Sequence, residues 1–219
     1  MKNISRILSW LITFLLPLAL TFLGLRLLLT HAFPEIEYRL PGFPADDFGF
    51  TLPDRLKWSE ISIDYLTNTA GISFLGDLTF PDGSRLFNDR ELSHMLDVKR
   101  VIGPVLWIGY GDWIILIGLG VMAYLSGWWR QYVRGIWRGG LLILGLVMLL
   151  SVFAFINFWQ FFSDFHGLFF TANSWQFLYS DTLIRLFPLR FWQDAFLFVG
   201  LLDGLGGLAL GIGLLSKRK

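Results

Sequence analysis

The chain has 219 residues, of which 54% are hydrophobic and only 16% charged, too little charge for an ordinary water-soluble domain. It has no cysteine, which excludes disulfides, thiolate nucleophiles, cysteine-ligated metals and a lipid anchor on cysteine. The net charge of +1 gives no reason to expect nucleic acid as a partner, so the information lies in where the charges sit.

A hydrocarbon core needs roughly 20 consecutive apolar residues to be crossed by a helix. Four stretches qualify: 7–29, with Arg26 near its end; 102–125, containing Asp112; 139–162; and 191–215, containing Asp203. The first has a basic start but too long an apolar run for a cleaved signal peptide, so it reads as a retained span. Lys2 and Arg6 precede it. Arg130, Arg134 and Arg138 fall between spans two and three, and Lys217, Arg218 and Lys219 end the chain. These three segments carry no acid. Positive charge stays on the cytoplasmic side, so both termini are expected there, and 31–100 and 163–190 outside.

The expected fold is an all-α membrane protein of four transmembrane helices with a small mixed α/β extracytoplasmic cap between helices one and two. In order, span one occupies 1–30, the cap 31–100, and the other three spans 101–219, with a short outer loop at 163–190. Within the cap, 35–40 alternates weakly and suggests an edge strand. Residues 55–66 have a helical period. Residues 78–87 read as a β-hairpin around Pro81-Asp82-Gly83. Asn88 followed by Glu91 makes a capping box for a short interfacial helix over 89–102, which leads into span two at Gly103-Pro104.

Residues 153–170 hold eight Phe and one Trp. The helical period of span three is expected to continue past the bilayer edge through this stretch. Ser180 can cap a short helix over 181–187, with Asp181 and Arg185 paired at i,i+4. Pro188 breaks that helix before span four, where Gly200 and Gly204 have the spacing of close helix packing.

Three histidines fall on the outer side: His31 after span one, His94 on the interfacial helix, and His166 at the end of span three. Glu91 and Asp97 lie within a turn of His94 and are suited to orient it; Asp164 is out of phase with His166. A histidine among aromatic rings has its charged form disfavoured, stays neutral near pH 7 and can accept a proton. Arg26 can snorkel to the interface. Asp112 and Asp203 lie at similar depth and can share a proton. No metal site is expected, since HExxH is absent and the histidines lack ligand spacing. There is also no GxSxG elbow, Walker loop or His–four–Asp box.

Two strings stand out together: FNDRELSHMLDVKRV at 87–101, and FHGLFF at 165–170 followed by Trp175 and DTLIRLFPLRFWQD at 181–194. With the length, the span count and the cap, they resemble the bacterial lipoprotein intramolecular transacylases. By motif, the family's two catalytic histidines correspond to His94 and His166. The resemblance implies a diacylglyceryl lipoprotein substrate, with membrane lipids as the other partner. Its sn-2 acyl chain moves to the N-terminal cysteine amine, giving a lyso-form lipoprotein, with no cofactor and no covalent nucleophile. It also implies that Phe162, Phe165, Phe169, Phe170 and Trp175 hold acyl chains, and that Arg185 contacts a headgroup or oxyanion. His94 is the preferred base here, with Glu91 or Asp97 raising its basicity. The competing readings are another lipid-modifying acyltransferase or esterase, a non-catalytic membrane scaffold for lipoproteins, and a small transporter. Two imidazoles in one cluster favour the enzyme; imidazoles on opposite faces favour the scaffold.

Overall fold

The computed structural model describes residues 2–171 and 174–213; the basic tail Lys217-Arg218-Lys219 lies outside the described residues. The helices are α1 (Lys2–Leu28), α2 (Ala32–Glu37), α3 (Leu52–Thr67), α4 (Ser73–Gly76), α5 (Asp89–Leu125), α6 (Trp129–Ile156), α7 (Phe158–Phe169), α8 (Thr182–Leu186) and α9 (Leu189–Gly213). Of these, α1, α5, α6 and α9 are long and apolar enough to cross a membrane, and the chain is a multi-pass membrane protein. Two compact units are present. A membrane unit comprises 1–25, 105–157 and 197–219, and a cap unit comprises 26–104 and 158–196.

In the membrane unit, Ile12, Leu16, Ala19 and Leu20 of α1 form one core with Leu116 of α5 and Ile136 and Ile143 of α6. Glycines let α1 and α6 approach. A Cβ at Gly135 would meet the Ser9 carbonyl and Ile12, and one at Gly139 would meet Leu16 and the Thr13 carbonyl. Thr13 Oγ1 donates to the Ser9 carbonyl at 2.9 Å, and the close approach brings the Gly135 carbonyl to 3.3 Å from the same hydroxyl. On α9 the tight contact is at Gly207, against the Gly140 carbonyl. Gly200 and Gly204 meet only Val147, at ordinary van der Waals distance.

The connection between α5 and α6 is shorter than the sequence suggested. Gly127 adopts φ 75°, and the Trp128 N–H reaches back to the Ala123 carbonyl, a Schellman closure that needs a residue without a Cβ penalty. Arg130, Arg134 and Arg138 therefore lie on the first turns of α6, not in a loop.

The α5 helix runs unbroken for 37 residues, roughly 55 Å, more than a hydrocarbon core requires. Its first turns, 89–101, carry Asp89, Arg90, Glu91, Asp97, Lys99 and Arg100, so the spanning part is 102–125. The interfacial helix expected to be short, over 89–102, instead continues through Gly103-Pro104 into the span. Pro104 forfeits one intrahelical bond, and the turns before it are anchored by Leu92 and Met95 in the cap core. Asn88 and Glu91 form the expected capping box: the Asn88 N–H donates to Glu91 Oε2 at 2.8 Å, and the Glu91 N–H to Asn88 Oδ1 at 3.0 Å.

The cap is helical, and the expected mixed α/β character is corrected: no strand occurs among the described residues, only an isolated bridge between Thr79 and Arg85. The Pro81-Asp82-Gly83 turn forms, but Asp82 binds the Ser84 N–H and hydroxyl, so the pairing stays local. The segment expected as an edge strand is α2 and the turn after it. Pro34 fits its first turn, and Glu35 pairs with Arg39 at i,i+4, a spacing that stabilises helix rather than strand. The 55–66 helix is real and longer, because Thr51 and Asp54 cap it reciprocally. A segment of about 70 residues makes only a marginal core by itself. Here Leu183 and Leu186 of α8 join Trp58, Tyr65, Leu75, Leu86, Phe87, Leu92 and Met95 in one core.

The third apolar stretch is interrupted. Its period breaks at Asn157, with φ −155° and ψ 93°, and resumes as α7 in the cap unit. Near the end of that unit, Asp181, not Ser180, is the N-cap of α8. The expected Asp181–Arg185 pair is not made, because each finds a more distant partner: Arg90 for Asp181 and Asp46 for Arg185.

Candidate functional site

His94 lies on the second turn of α5, and His166 near the end of α7. Both are buried, at 8% and 7% exposure. The local sequence explains their placement. The Asn88 box fixes the start of α5, and α7 puts Phe162 and His166 one above the other at i,i+4.

The two imidazoles share one aromatic cluster, with centroids 6.4 Å apart and planes 25° apart. Phe170 touches both, at 4.9 Å from His94 and 5.8 Å from His166. Phe177 completes the His94 side at 5.4 Å. Around His166 stand Phe162 at 4.0 Å, Trp175 at 4.8 Å and Trp192 at 6.3 Å. Phe165 and Phe169 pack against each other at 5.2 Å with their planes tilted by 60° and are partly exposed. Of the five aromatic residues expected from the sequence, Phe162, Phe170 and Trp175 line the pair closely and Phe165 and Phe169 stand at its rim. Phe177 and Trp192 were missed as site residues, since sequence alone does not say which ring of an aromatic run points inward.

The two histidines differ in their hydrogen bonding. His166 Nδ1 lies 2.9 Å from the Phe162 carbonyl. A carbonyl can only accept, so Nδ1 carries the proton and Nε2 of the neutral ring keeps its lone pair. His94 Nδ1 is buried with no hydrogen-bond partner. A buried polar atom left unmatched is a cost that binding sites retain. Burial pushes His94 down to about 4, helped by the neighbouring His166, with Asp97 opposing. Burial also lowers His166, and its bond to Phe162 resists that shift. Both rings are therefore neutral near pH 7.

The two acids expected to orient His94 are otherwise engaged. Glu91 Oε1 accepts from the Leu183 N–H at 2.7 Å, and Oε2 from Asn88. Glu91 thereby ties the start of α5 to α8, and its burial raises its pKa. Asp97 pairs with Arg100 at 3.1 Å and reaches His94 only through its field. Arg185 is enclosed: it holds Asp46 at 3.0 Å, donates to the Phe48 carbonyl at 3.2 Å and lies 3.5 Å over the Phe50 ring. Arg90 holds Asp181 and sits 5.7 Å over Phe177. His31 is half-exposed and bonded to Asp64 at 2.7 Å. Among the described residues no group of acids and histidines has metal-site geometry.

The membrane acids do not pair with each other. Asp203 accepts from Thr21 at 2.7 Å, while neither carboxylate oxygen of Asp112 has a partner.

A neutral imidazole with an available Nε2, beside a second neutral imidazole, inside an apolar cage, can take a proton from one substrate atom and give one to another. Comparison with known proteins bears on which substrate. The family described as lipoprotein intramolecular transacylase Lit matches residues 7–192. A protein of Aquifex aeolicus (strain VF5), described only as uncharacterized, is 32% identical over 217 residues, 97% of this chain and 96% of its own length. The in meso structure of the membrane integral lipoprotein intramolecular transacylase Lit from Bacillus cereus superposes with a TM-score of 0.81 at 19% identity, covering 100% of this chain and 99% of that one. A histidine-to-arginine variant of the Bacillus cereus protein gives 0.71 at 18% identity, over 99% and 94%. At such identities the structural matches establish the fold.

Proposed function

The chain belongs to the lipoprotein intramolecular transacylase family, and from that premise we propose that it transfers the sn-2 acyl chain of a diacylglyceryl lipoprotein to the α-amine of the lipoprotein's N-terminal cysteine. The observation that carries this reading is the buried, neutral histidine pair in one aromatic cluster.

The amine nitrogen attacks the ester carbonyl carbon, and the carbon–oxygen bond to the sn-2 position breaks. One proton leaves nitrogen and one reaches the sn-2 oxygen, so the transfer balances with no redox partner. The ring closed in the attack contains the amine nitrogen, Cα, Cβ, sulfur, two glyceryl carbons, the ester oxygen and the carbonyl carbon. Such an eight-membered closure is slow in free solution, and holding it is worth roughly 7–11 kcal/mol when orientation is good. Phe162, Phe165, Phe169, Phe170 and Trp175 hold the acyl chain and exclude water, which favours the amine over hydrolysis.

His166 is the base in this scheme. Its Nδ1 proton is committed to Phe162, which leaves Nε2 to accept from the amine. His94 donates a hydrogen bond to the oxyanion, and the proton that His166 takes from nitrogen is then delivered to the departing sn-2 oxygen. This reverses the preference drawn from sequence, because Glu91 and Asp97 are engaged elsewhere and burial makes His94 the weaker base. Glu91 acts by position, holding α5 against α8; Arg185 does the same for the Asp46 loop. Both termini are cytoplasmic and the site faces outward from a bacterial plasma membrane. The supporting observation is the arginine-rich, acid-free start of α6.

The test is mass spectrometry of lipoprotein N-termini in a host that makes diacylglyceryl forms. Expression of the chain should yield lyso-form lipoproteins with the acyl chain on nitrogen. A chain present in the membrane that leaves N-termini unchanged contradicts the proposal.

A further inference from the structure

In the membrane unit, α1 and α6 enclose a cavity of about 190 Å³ lined by Arg6, Ser9, Gln131, Arg134 and Arg138. That is room for about six waters, enough for a phosphate group and adjoining ester oxygens. The cavity is held open by rigid parts. Gly135 brings α6 onto the Ser9 carbonyl and Ile12, and Ser9 Oγ donates to the Gln131 carbonyl at 2.6 Å. The two backbones are thus fixed one turn from the arginines.

Arg138 is pre-positioned. One terminal nitrogen donates to Ser9 Oγ at 2.7 Å, its guanidinium lies 3.8 Å over the Trp10 ring, and its Nε is buried with no hydrogen-bond partner. Arg6 and Arg134 complete the ring. No carboxylate is at hand: residues 1–25 and 126–157 contain no Asp or Glu, and none of the three arginines forms a salt bridge among the described residues. Three guanidinium groups converging without a counterion repel one another, and an anion relieves that repulsion. Guanidinium forks match phosphate oxygens, and basic pockets between transmembrane helices are a recurrent place for anionic lipid headgroups.

We propose that this cavity is a binding site for the phosphate of an anionic phospholipid, held between α1 and α6 by Arg6, Arg134 and Arg138. The site is separate from the acyl-transfer chemistry and needs no part of it. It makes the α1–α6 contact responsive to the anionic lipid content of the membrane.

Native mass spectrometry of the full chain in detergent tests this, with phosphatidylglycerol, phosphatidylcholine or inorganic phosphate added. Phosphatidylglycerol should be retained roughly tenfold or more over phosphatidylcholine, and Arg6→Gln or Arg134→Gln should each cut that preference about fivefold. Arg138 also braces Ser9 and Trp10, so the exposed Arg6 and Arg134 carry the test. Arg130→Gln, on α6 but outside the cavity lining, should leave the preference intact. Equal retention of both lipids overturns the proposal. So does an Arg130→Gln loss matching the others, which would mean a diffuse basic surface. Inorganic phosphate displacing phosphatidylglycerol at equal concentration overturns the lipid assignment in favour of free phosphate.

Discussion

In the cap unit Arg185 is matched by Asp46, Arg90 by Asp181 and Arg190 by Asp194, whereas in the membrane unit Arg6, Arg134 and Arg138 share a cavity with no carboxylate and Asp112 is buried with neither oxygen bonded. Inside the cap unit His94 and His166 are held among rings instead of charges. Arg185–Asp46 and Arg90–Asp181 hold distant segments together, and Arg190–Asp194 braces one helix at i,i+4. Where an unmatched polar group lies in a ring cluster or at a cavity, as at His94 and Arg138, the fold has a place for something it does not itself supply. Both functional readings rest on that contrast.

The comparison breaks most severely at Asp46. Its side chain is 2% exposed and its partner Arg185 10% exposed, and Asp46 also takes the Phe48 and Phe50 N–H groups. Arg185→Leu leaves that carboxylate buried and uncompensated, at a cost of about 3–5 kcal/mol. Asp112→Asn removes a carboxylate that had no partner to lose, so its unfolding temperature should match or exceed that of the parent. Thermal unfolding in detergent compares the two. A milder loss for Arg185→Leu than for Asp112→Asn would reverse the reading of matched and unmatched charge.

A smaller effect separates two buried titrating groups in the cap. Burial lowers His94 to about 4, below its unfolded value near 6.5. Between those values the unfolded chain binds more protons, so the stability associated with neutral His94 is complete above about pH 6.5 and drains away toward pH 4. Glu37 behaves oppositely. Burial, with the Asp194 carboxyl beside it, raises it to about 7, so its contribution is complete below about pH 4.5 and is lost as pH rises toward 7. In unfolding temperature against pH, His94→Leu should flatten the acid side and Glu37→Gln should remove the decline between those limits. Unchanged profiles would contradict the burial assigned to each group.

The parts of this fold that were legible in sequence are those set by short-range pattern. The apolar runs marked the membrane-crossing helices, and Asn88 with Glu91 marked the start of α5. His94 and His166 stood out because a motif named them. What stayed hidden depends on partners far along the chain. Arg185 looked suited to Asp181 four residues away, but Asp46 takes it from 139 residues distant. The strand expected at 35–40 ignored a helix-favouring Glu35–Arg39 pair, and the hairpin expected at 78–87 comes to one bridge around a turn that Asp82 and Ser84 close locally. The break at Asn157 lies in an aromatic run that gives no breaker signal. The fixed proton on His166 required knowing that its ring reaches the carbonyl of Phe162, a geometric fact about α7.

The account turns on both histidines serving one reaction. The most direct measurement is the amount of lyso-form lipoprotein made by the parent chain, His94→Ala, His166→Ala and the double variant, at equal protein level in the same membranes. Each single change should reduce the product by a factor of roughly 10²–10⁴, and the double variant should lose little more than the worse single, since groups that act as a unit do not add. Parent-level product from either folded single variant would contradict the account.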